Sequence, residues 1–351
     1  MALAGRKRPA PLDLAPPVPV RGGAGKKRPA LLGLSLRVPV RGDPPCPPLA
    51  PPPPGAASAS SCDFRVADFD RVAVLGRGNG GTVYKVLHRE TRAPYALKVV
   101  HQGDAAAEAE ALGRAASPFV VRCHGVLMPA GGDVALLLEL AGGGSLDAVR
   151  ARRGAFPEAA LAAVAAQALS GLAHLHARRV VHLDIKPANL LVGAAGEVKI
   201  ADFGVAKILP RAGAGCSASE GTAAYMSPER FDPEAHGGSY DPCAADVWSL
   251  GVTLLELFLG RYPLLPAGQR PDWAALMCAI CFGEPPALPD GVASPELRGF
   301  ISACLHKDCS KRASVAELLA HPFVARRDTA ASTSALQKLV AVDETPVPSS
   351  E

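Results

Sequence analysis

Apolar and polar residues alternate in short stretches between residues 64 and 145, a period of two that is typical of half-buried β-strands. We predict strands over residues 71–75, 81–88, 95–100 and 134–140. After Leu146 the apolar residues recur every three or four positions, and we predict helices over residues 157–177, 245–259 and 294–305. The pattern therefore indicates an α+β fold with a small β-rich N-terminal lobe and a larger helical C-terminal lobe.

The stretch from residue 159 to residue 177 carries no formal charge and resembles a membrane span by composition alone. It contains Gln167, Ser170 and two histidines, and most of its apolar content is alanine. Its larger apolar residues recur at roughly helical spacing, so we predict a buried core helix and no membrane contact.

The first 60 residues differ in composition from the rest. They hold 15 of the 34 prolines, no aromatic residue, and nine Lys and Arg against two Asp and Glu, which is a charge of +7. Because the whole chain has a net charge of +4, the remaining 291 residues sum to −3. Such a segment buries too little apolar surface to fold, so we predict a disordered, proline-rich basic arm over residues 1–60. The charge is local, which argues against a general nucleic-acid binder.

The arm contains a repeat. Residues 3–22 align without gaps on residues 23–42, and 13 of the 20 positions are identical. Each copy has a basic triple followed by a Leu-x-Leu pair. These residues are Arg6, Lys7, Arg8, Leu12 and Leu14 in the first copy and Lys26, Lys27, Arg28, Leu32 and Leu34 in the second. Two proline-rich copies are too few and too irregular for a solenoid.

Nine cysteines are scattered along the chain, and no apolar leader follows the first basic triple. We expect free thiols in a reducing compartment, the cytoplasm. Cys278 and Cys281 form a CxxC pair that would allow a zinc or redox site. No second pair stands at zinc spacing, so thiols on helices are the favoured interpretation.

The Ser-, Thr- and Ala-rich residues 325–351 predict a flexible tail, in which Leu336, Leu339 and Val340 would form a short apolar face.

Three glycines, Gly76, Gly78 and Gly81, lie between the first two predicted strands. Glycine lets backbone amides approach a polyphosphate, although the same spacing also occurs in ordinary hairpins. A dinucleotide-binding fold would need a helix after the motif. Because a strand follows here, the context favours a glycine loop over a polyphosphate that joins two strands.

Lys98 stands at the end of the third predicted strand, where a lysine can hold the α- and β-phosphates of a nucleotide. A buried lysine needs a carboxylate partner, and Glu108 or Glu110 on the following helix could supply it. The alternative is an exposed lysine at the edge of the sheet.

The segment His182-Leu-Asp-Ile-Lys-Pro-Ala-Asn189, followed by Asp202-Phe-Gly204, has the groups that phosphoryl transfer requires. The reaction needs a carboxylate near the acceptor hydroxyl, a cation on the γ-phosphate and oxygen ligands for Mg²⁺. Asp184, Lys186, Asn189 and Asp202 supply them in that order.

These motifs together resemble the eukaryotic protein kinase family over residues 69–324, which implies a bilobal fold. The chain is most similar to mitogen-activated protein kinase (MAP kinase) kinases of the plant type. The closer resemblance rests on Gly143-Gly-Ser-Leu146, Gly221-Thr-Ala-Ala-Tyr-Met-Ser-Pro-Glu-Arg230, Asp246-Val-Trp-Ser-Leu-Gly251 and His321-Pro-Phe323.

The resemblance implies roles for individual positions. Asp184 orients the acceptor hydroxyl, Lys186 marks a Ser/Thr-type catalytic loop, and Asn189 and Asp202 hold Mg²⁺. Lys98 pairs with Glu108. The residues implied in ATP binding are Gly76, Gly78, Gly81, Val83, Ala96, Lys98, Glu108, the gatekeeper Leu138, and Glu139 and Ala141 of the hinge. Glu229 should pair with Arg312 under the substrate platform.

Three features depart from the family pattern. Leu183 replaces the arginine that normally receives the activation-loop phosphate, and Gly213 replaces the first acceptor hydroxyl. Glu108 stands only ten positions after Lys98, so we expect a truncated regulatory helix. In the activation loop, Ser217, Ser219 and Thr222 remain, with Ser219 at the second acceptor position. We therefore expect low basal activity that an upstream MAP kinase kinase kinase changes little.

The resemblance implies transfer of the ATP γ-phosphate to Thr and Tyr in a MAP kinase activation loop. The duplicated triples resemble the docking sites that bind the MAP kinase. An alternative interpretation of the triples is nuclear localisation, which would add the nucleus as a location. However, three basic residues are few for such a signal, and it would not explain Leu-x-Leu.

Leu183 and Gly213 leave a second functional hypothesis, a weakly active or inactive scaffold that docks a MAP kinase. A third, an upstream or unrelated Ser/Thr kinase, fits the docking arm less well.

Overall fold

The computed structural model describes residues 64–341 except 79–80, 101, 130–132, 218–219, 267, 270 and 289–290, and it describes no side chains for residues 102–104. The basic arm, its duplicated triples and residues 342–351 therefore lie outside the described residues, as does Ser219. The predictions for these segments remain predictions.

The N-terminal lobe is a five-stranded antiparallel sheet in the order β1-β2-β3-β5-β4. The strands are β1 (Phe69–Gly78), β2 (Gly81–His88), β3 (Pro94–Val100), β4 (Cys123–Leu127) and β5 (Val134–Glu139). The four predicted strands are present. The sequence did not predict β4, because His124 and Gly125 interrupt its apolar alternation and the pairing with β5 shifts register at that point.

One helix, α1 (Gln102–Arg114), accompanies this sheet. The expectation of a truncated helix is wrong, because α1 has 13 residues, more than three turns. The interval between Lys98 and Glu108 is short because the connection between β3 and α1 is short. Only one residue lies between Val100, which ends β3, and Gln102, which begins α1. Glu108 therefore lies in the middle of a complete helix.

The C-terminal lobe is helical, as predicted. Its helices are α2 (Leu146–Arg153), α3 (Glu158–Ala177), α4 (Pro228–Phe231), α5 (Pro242–Leu259), α6 (Trp273–Met277), α7 (Pro295–Cys304), α8 (Val315–Ala320), α9 (Pro322–Ala325) and α10 (Thr329–Val340). Cys278–Phe282 continues α6 as a π-helical stretch. Several helices begin with a side chain that accepts a bond from the first turn, such as Ser145 for α2 and Asp241 for α5.

Helices α3 and α5 form the centre of this lobe, and Trp248 of α5 is fully buried. Both helices are long and apolar enough to cross a membrane by length and composition. In the fold, 67% of the apolar window of α3 and 83% of that of α5 are buried, as expected of core helices.

The chain after residue 325 differs from the flexible tail that the sequence predicts. Asp328 caps α10, which packs along α3 and places Leu336 and Val340 in the core. Arg153 of α2 donates hydrogen bonds to the carbonyl oxygens of Leu339 and Ala341 at the end of this helix. The apolar face that the sequence indicated is real, and the lobe buries it.

Two small antiparallel ladders lie between the helices and carry the loops of the site. One joins β6 (Val180–Val181) to β9 (Lys207–Ile208), and the other joins β7 (Leu190–Val192) to β8 (Val198–Ile200). The loop from residue 182 to residue 189 therefore starts from one ladder and ends in the other.

Candidate active site

Lys98 lies in the centre of the N-terminal sheet, paired in register with Val83 of β2 and Leu136 of β5. Its ammonium group donates to both oxygens of Glu108, at 2.6 and 2.8 Å. The side chains are only 6% and 2% exposed, so the ion pair is desolvated and fixes α1 against the sheet. The sequence had left Glu110 open as a partner, but Glu110 instead accepts a bond from the exposed Arg114.

Asp202 approaches the same ammonium group from the C-terminal lobe, with its Oδ1 2.7 Å from Lys98 Nζ. Burial alone would lower the pKa of Lys98, but the carboxylates of Asp202 and Glu108 outweigh it and raise the pKa. Burial would raise the pKa of Asp202, yet Lys98 holds it below its usual value. Both groups are therefore ionised at neutral pH. Because 47% of the Asp202 side chain is exposed, this carboxylate remains open to a ligand in the cleft.

The three predicted glycines differ in their surroundings. Gly81 has a φ of +116°, and a Cβ atom there would overlap the carbonyl oxygen of Val99 in the paired strand. A Cβ on Gly76 or Gly78 would meet no atom within 4 Å. Gly81 is thus required by the fold itself, whereas the space beside Gly76 and Gly78 remains open for a ligand.

The catalytic loop brings its predicted polar residues together around Asp184, which is 8% exposed. The Asp184 carboxylate accepts bonds from Lys186 Nζ at 2.7 Å and from Asn189 Nδ2 at 2.9 Å. Its other oxygen accepts a bond from the backbone amide of Thr222 at 2.9 Å. Lys186 also donates to the Thr222 hydroxyl at 2.6 Å. The activation segment (residues 202–229) is therefore bonded directly to the carboxylate that the kinase resemblance assigns to the acceptor hydroxyl.

Sequence reasoning gave Asp246 no role, although the structure places it beneath this loop. Its buried carboxylate accepts bonds from the backbone amides of His182 and Leu183, at 3.0 and 2.7 Å, and from His176 Nε2 at 2.9 Å. Burial would lower the pKa of His176, but the bonds to Asp246 and Cys243 raise it to about 10. The available signal was a carboxylate near the start of α5, a largely apolar helix whose two charged residues are Asp246 and Glu256.

Comparisons with known proteins agree with this geometry. A family model for the protein kinase domain matches residues 69–324. Mitogen-activated protein kinase kinase 9 of Arabidopsis thaliana is 52% identical over 279 residues, which cover 77% of this chain and 87% of that protein. Mitogen-activated protein kinase kinase 7 of the same plant is 51% identical over 267 residues, covering 74% and 85%. The chain belongs to the plant mitogen-activated protein kinase kinases. This kinase therefore uses ATP and a divalent metal ion, as protein kinases do.

The cleft of this MAP kinase kinase has an apolar lining where the adenine-binding residues were predicted. Ala96 and Leu138 are register partners on β3 and β5. Val83 of β2, in the N-terminal lobe, and Leu191 of β7, in the C-terminal lobe, are half-buried and pack against the core cluster that contains Ala96 and Leu138. Leu191 was not among the predicted ATP-binding residues, although it directly follows the Asn189-Leu190 pair of the catalytic motif.

Of the predicted hinge residues, Glu139 ends β5 and Ala141 follows it. The Glu139 carboxylate accepts two bonds from Lys199 Nζ, at 2.6 and 2.9 Å, and one from the backbone amide of Arg122. Ala141 accepts a bond from the amide of Gly144 through its carbonyl oxygen. The Glu139 side chain thus fixes the hinge to β8, so only the backbone of this residue is suited to contact a nucleotide.

Asn189 and Asp202 fit a hard divalent cation. The Asn189 amide nitrogen donates to the carbonyl oxygen and the carboxylate of Asp184, both at 2.9 Å, which orients the amide and leaves its Oδ1 as the acceptor. Asp202 adds an ionised carboxylate, and oxygen donors suit such ions. Among the described residues, no group of three or more His, Cys, Asp or Glu side chains is placed to hold a metal ion.

The predicted activation-loop residues have different positions. Thr222 is bonded to the catalytic loop, whereas Ser217 is exposed. Gly213 has a φ of +69°, which glycine adopts readily. Leu183 is 1% exposed, in contrast to the cationic side chain that the family motif has at this position.

Proposed function

We propose that this kinase transfers the γ-phosphate of ATP, bound with Mg²⁺, to Thr and Tyr in the activation loop of a MAP kinase. The observation that carries the proposal is the assembled network of Asp184, Lys186, Asn189 and Thr222, with Lys98 paired to Glu108 at the same time. The identity to plant MAP kinase kinases supports the class of substrate.

Each side chain has one task in this reaction. Lys98 holds the α- and β-phosphates, and Glu108 holds Lys98 in place. Asp184 accepts a hydrogen bond from the acceptor hydroxyl and aligns it for in-line attack, while Lys186 balances the charge that develops on the γ-phosphate. Asn189 Oδ1 and the Asp202 carboxylate would hold Mg²⁺, which would neutralise negative charge on the phosphates.

A non-catalytic scaffold is the less favoured alternative. It was suggested by Leu183, Gly213 and the short interval before Glu108. However, α1 has 13 residues, the Lys98–Glu108 pair is formed, and Asp184, Asn189 and Asp202 are in place among the described residues. These observations support an enzyme over a scaffold.

The arm supplies the docking function in this proposal. Each basic triple would meet an acidic surface of the MAP kinase, and each Leu-x-Leu pair would enter an apolar groove beside it. An upstream MAP kinase kinase kinase would act on the activation loop at Ser217 or Ser219, and the protein would work in the cytoplasm. If the triples also act as import signals, it would work in the nucleus as well.

Transfer of labelled phosphate from ATP to a panel of catalytically inactive MAP kinases tests the proposal. Wild-type protein should label at least one of them, and the Asp202→Asn protein should label none. Specific binding of a MAP kinase without transfer above the Asp202→Asn control would favour the scaffold.

A further inference from the structure

Leu183 occupies a small apolar cluster beneath the activation segment. Its partners in this cluster are Val181, Leu209, Ala214, Tyr240 and Ala245, all less than 10% exposed. Val181 ends β6 and Leu183 lies in the catalytic loop that follows it, Leu209 and Ala214 belong to the activation segment, and Tyr240 and Ala245 lie just before and in the first turn of α5. The cluster therefore joins three parts of the chain that are distant in sequence.

The backbone directs Leu183 into this cluster. Its φ is +64°, a left-handed conformation that is uncommon for a residue other than glycine. The conformation is held from both sides, because the Leu183 amide donates to Asp246 and its carbonyl oxygen accepts a bond from Arg230. Arg230 also donates to the carbonyl oxygen of Glu220, which ties the end of the activation segment to the same residue.

Backbone bonds attach the activation segment on both sides of the cluster. The amide of Leu209 donates to the carbonyl oxygen of Arg179 at 2.7 Å, next to the β6–β9 ladder. Cys216 and Tyr240 exchange two backbone bonds, each at 3.0 Å. The segment is thus positioned by packing and backbone bonding between residues 207 and 216.

No residue of the cluster is charged, and Leu183 cannot bind a phosphate. Kinases that carry an arginine at this position can use it to order the segment through a charge-assisted bond to a phosphorylated residue. Burial of a leucine side chain contributes stabilisation by removing apolar surface from water, and this contribution needs no modification of the loop.

We infer that Leu183 is a positioning residue that keeps the activation segment in its substrate-binding arrangement by apolar packing, without a loop phosphate. The ordered segment presents Thr222 to Asp184 and Lys186. The inference on activity rests on the proposed function, whereas the inference on order does not.

The test compares hydrogen–deuterium exchange over residues 205–217 and 220–230 in full-length protein before and after phosphatase treatment. The treated wild-type protein should keep its protection, and its rate of transfer should change less than twofold. Loss of protection in the treated protein, with a tenfold or greater fall in rate, would overturn the inference.

Two variants remove the packing from opposite sides. Leu183→Ala and Leu209→Ala should each increase exchange across residues 205–217. Each should also lower kcat for the protein substrate at least tenfold while leaving the KM for ATP within twofold. Leu183→Met should restore both readouts, because it refills the space. Either variant can fail to fold. In that case the comparison of wild-type protein before and after phosphatase treatment still tests the inference.

Leu336→Ala is the matched control, because it removes an equally buried leucine from α10, away from the site. It should lower Tm without raising exchange over residues 205–217. Equal exchange in Leu183→Ala and wild type would contradict the inference. If no MAP kinase accepts phosphate while the exchange pattern holds, the proposed substrate is wrong and the positioning role of Leu183 stands.

Discussion

Arg312 donates two parallel hydrogen bonds to the carboxylate of Glu229, at 2.6 and 3.0 Å, in a pair whose side chains are at most 1% exposed. Arg312 also donates to the carbonyl oxygens of Ala244 and His306. The pair therefore links α4, directly after the activation segment, to the first turn of α5 and to the loop after α7. The sequence predicted this pair across 83 residues, and the structure confirms it.

Removing one member of this pair should destabilise the C-terminal lobe strongly. Arg312→Ala leaves the Glu229 carboxylate buried without its partner, at a cost of about 3–5 kcal/mol. Thermal or chemical denaturation measures the loss. Arg114→Ala, which breaks the exposed pair with Glu110, should cost at most about 1 kcal/mol. Equal effects of the two substitutions would show that the buried pair is not formed in solution.

Asp202→Asn should abolish phosphoryl transfer with little effect on Tm. The amide keeps the shape of the side chain, and Lys98 keeps its partner Glu108, so the fold loses no buried ion pair. The lost carboxylate is the charged ligand for the metal ion. Transfer rate and Tm of the same preparation check the prediction, and transfer at the wild-type rate would disprove the metal assignment.

Two alanine substitutions in the glycine loop should have different effects, one on the stability of the fold and the other on the affinity for ATP. Gly81→Ala should destabilise the N-terminal lobe by about 1–3 kcal/mol or more, because the new methyl group meets the Val99 carbonyl. Gly78→Ala has open space, so it should change stability by less than about 0.5 kcal/mol. It should instead raise the KM for ATP. Denaturation and ATP titration of both variants test the distinction, which fails if both lose stability equally.

The contact between His176 and Asp246 should make stability depend on pH. The pKa of His176 rises from 6.5 to about 10 on folding. The stabilisation is therefore complete below pH 6.5 and is lost as the pH rises towards 10, by up to about 1.4 kcal/mol per pH unit. Although burial would raise the pKa of Asp246, bonding to His176 lowers it, so its contribution is lost only at acidic pH.

His176→Gln should lower the stability at pH 6.5 and flatten its decline between pH 6.5 and 10. Urea denaturation at several pH values in this window measures both effects. If the variant and the wild type decline with the same slope, His176 does not carry the excess proton.

The duplicated arm should tolerate the loss of one docking copy. With a single partner site, two equivalent copies improve capture by about a factor of two, or about 0.4 kcal/mol. Replacing Lys26, Lys27 and Arg28 with alanine should therefore weaken binding to a MAP kinase by about twofold. Replacing both triples should weaken it strongly and remove its salt dependence. Complete loss on replacing the second triple alone would show that the copies are not equivalent.

Local patterns predicted the strands, the long helices and the catalytic residues, because these residues stand close together in sequence. The residues alone left Glu108 and Glu110 open as partners of Lys98, and the resemblance to protein kinases implied Glu108, which the structure confirms. The position of α10 against α3 was missed, since a helix rich in Ala, Ser and Thr shows only Leu336, Leu339 and Val340 as larger apolar markers. The contacts of Asp246 and Leu183 also depend on tertiary packing, as their partners lie tens of residues away.

Phosphosite mapping by mass spectrometry on a catalytically inactive MAP kinase tests the central claim most directly. After incubation with ATP, Mg²⁺ and this kinase, we predict phosphate on both Thr and Tyr of the MAP kinase activation loop, and none with the Asp202→Asn protein. Phosphate confined to other sites, or equal labelling by the two proteins, would contradict the claim.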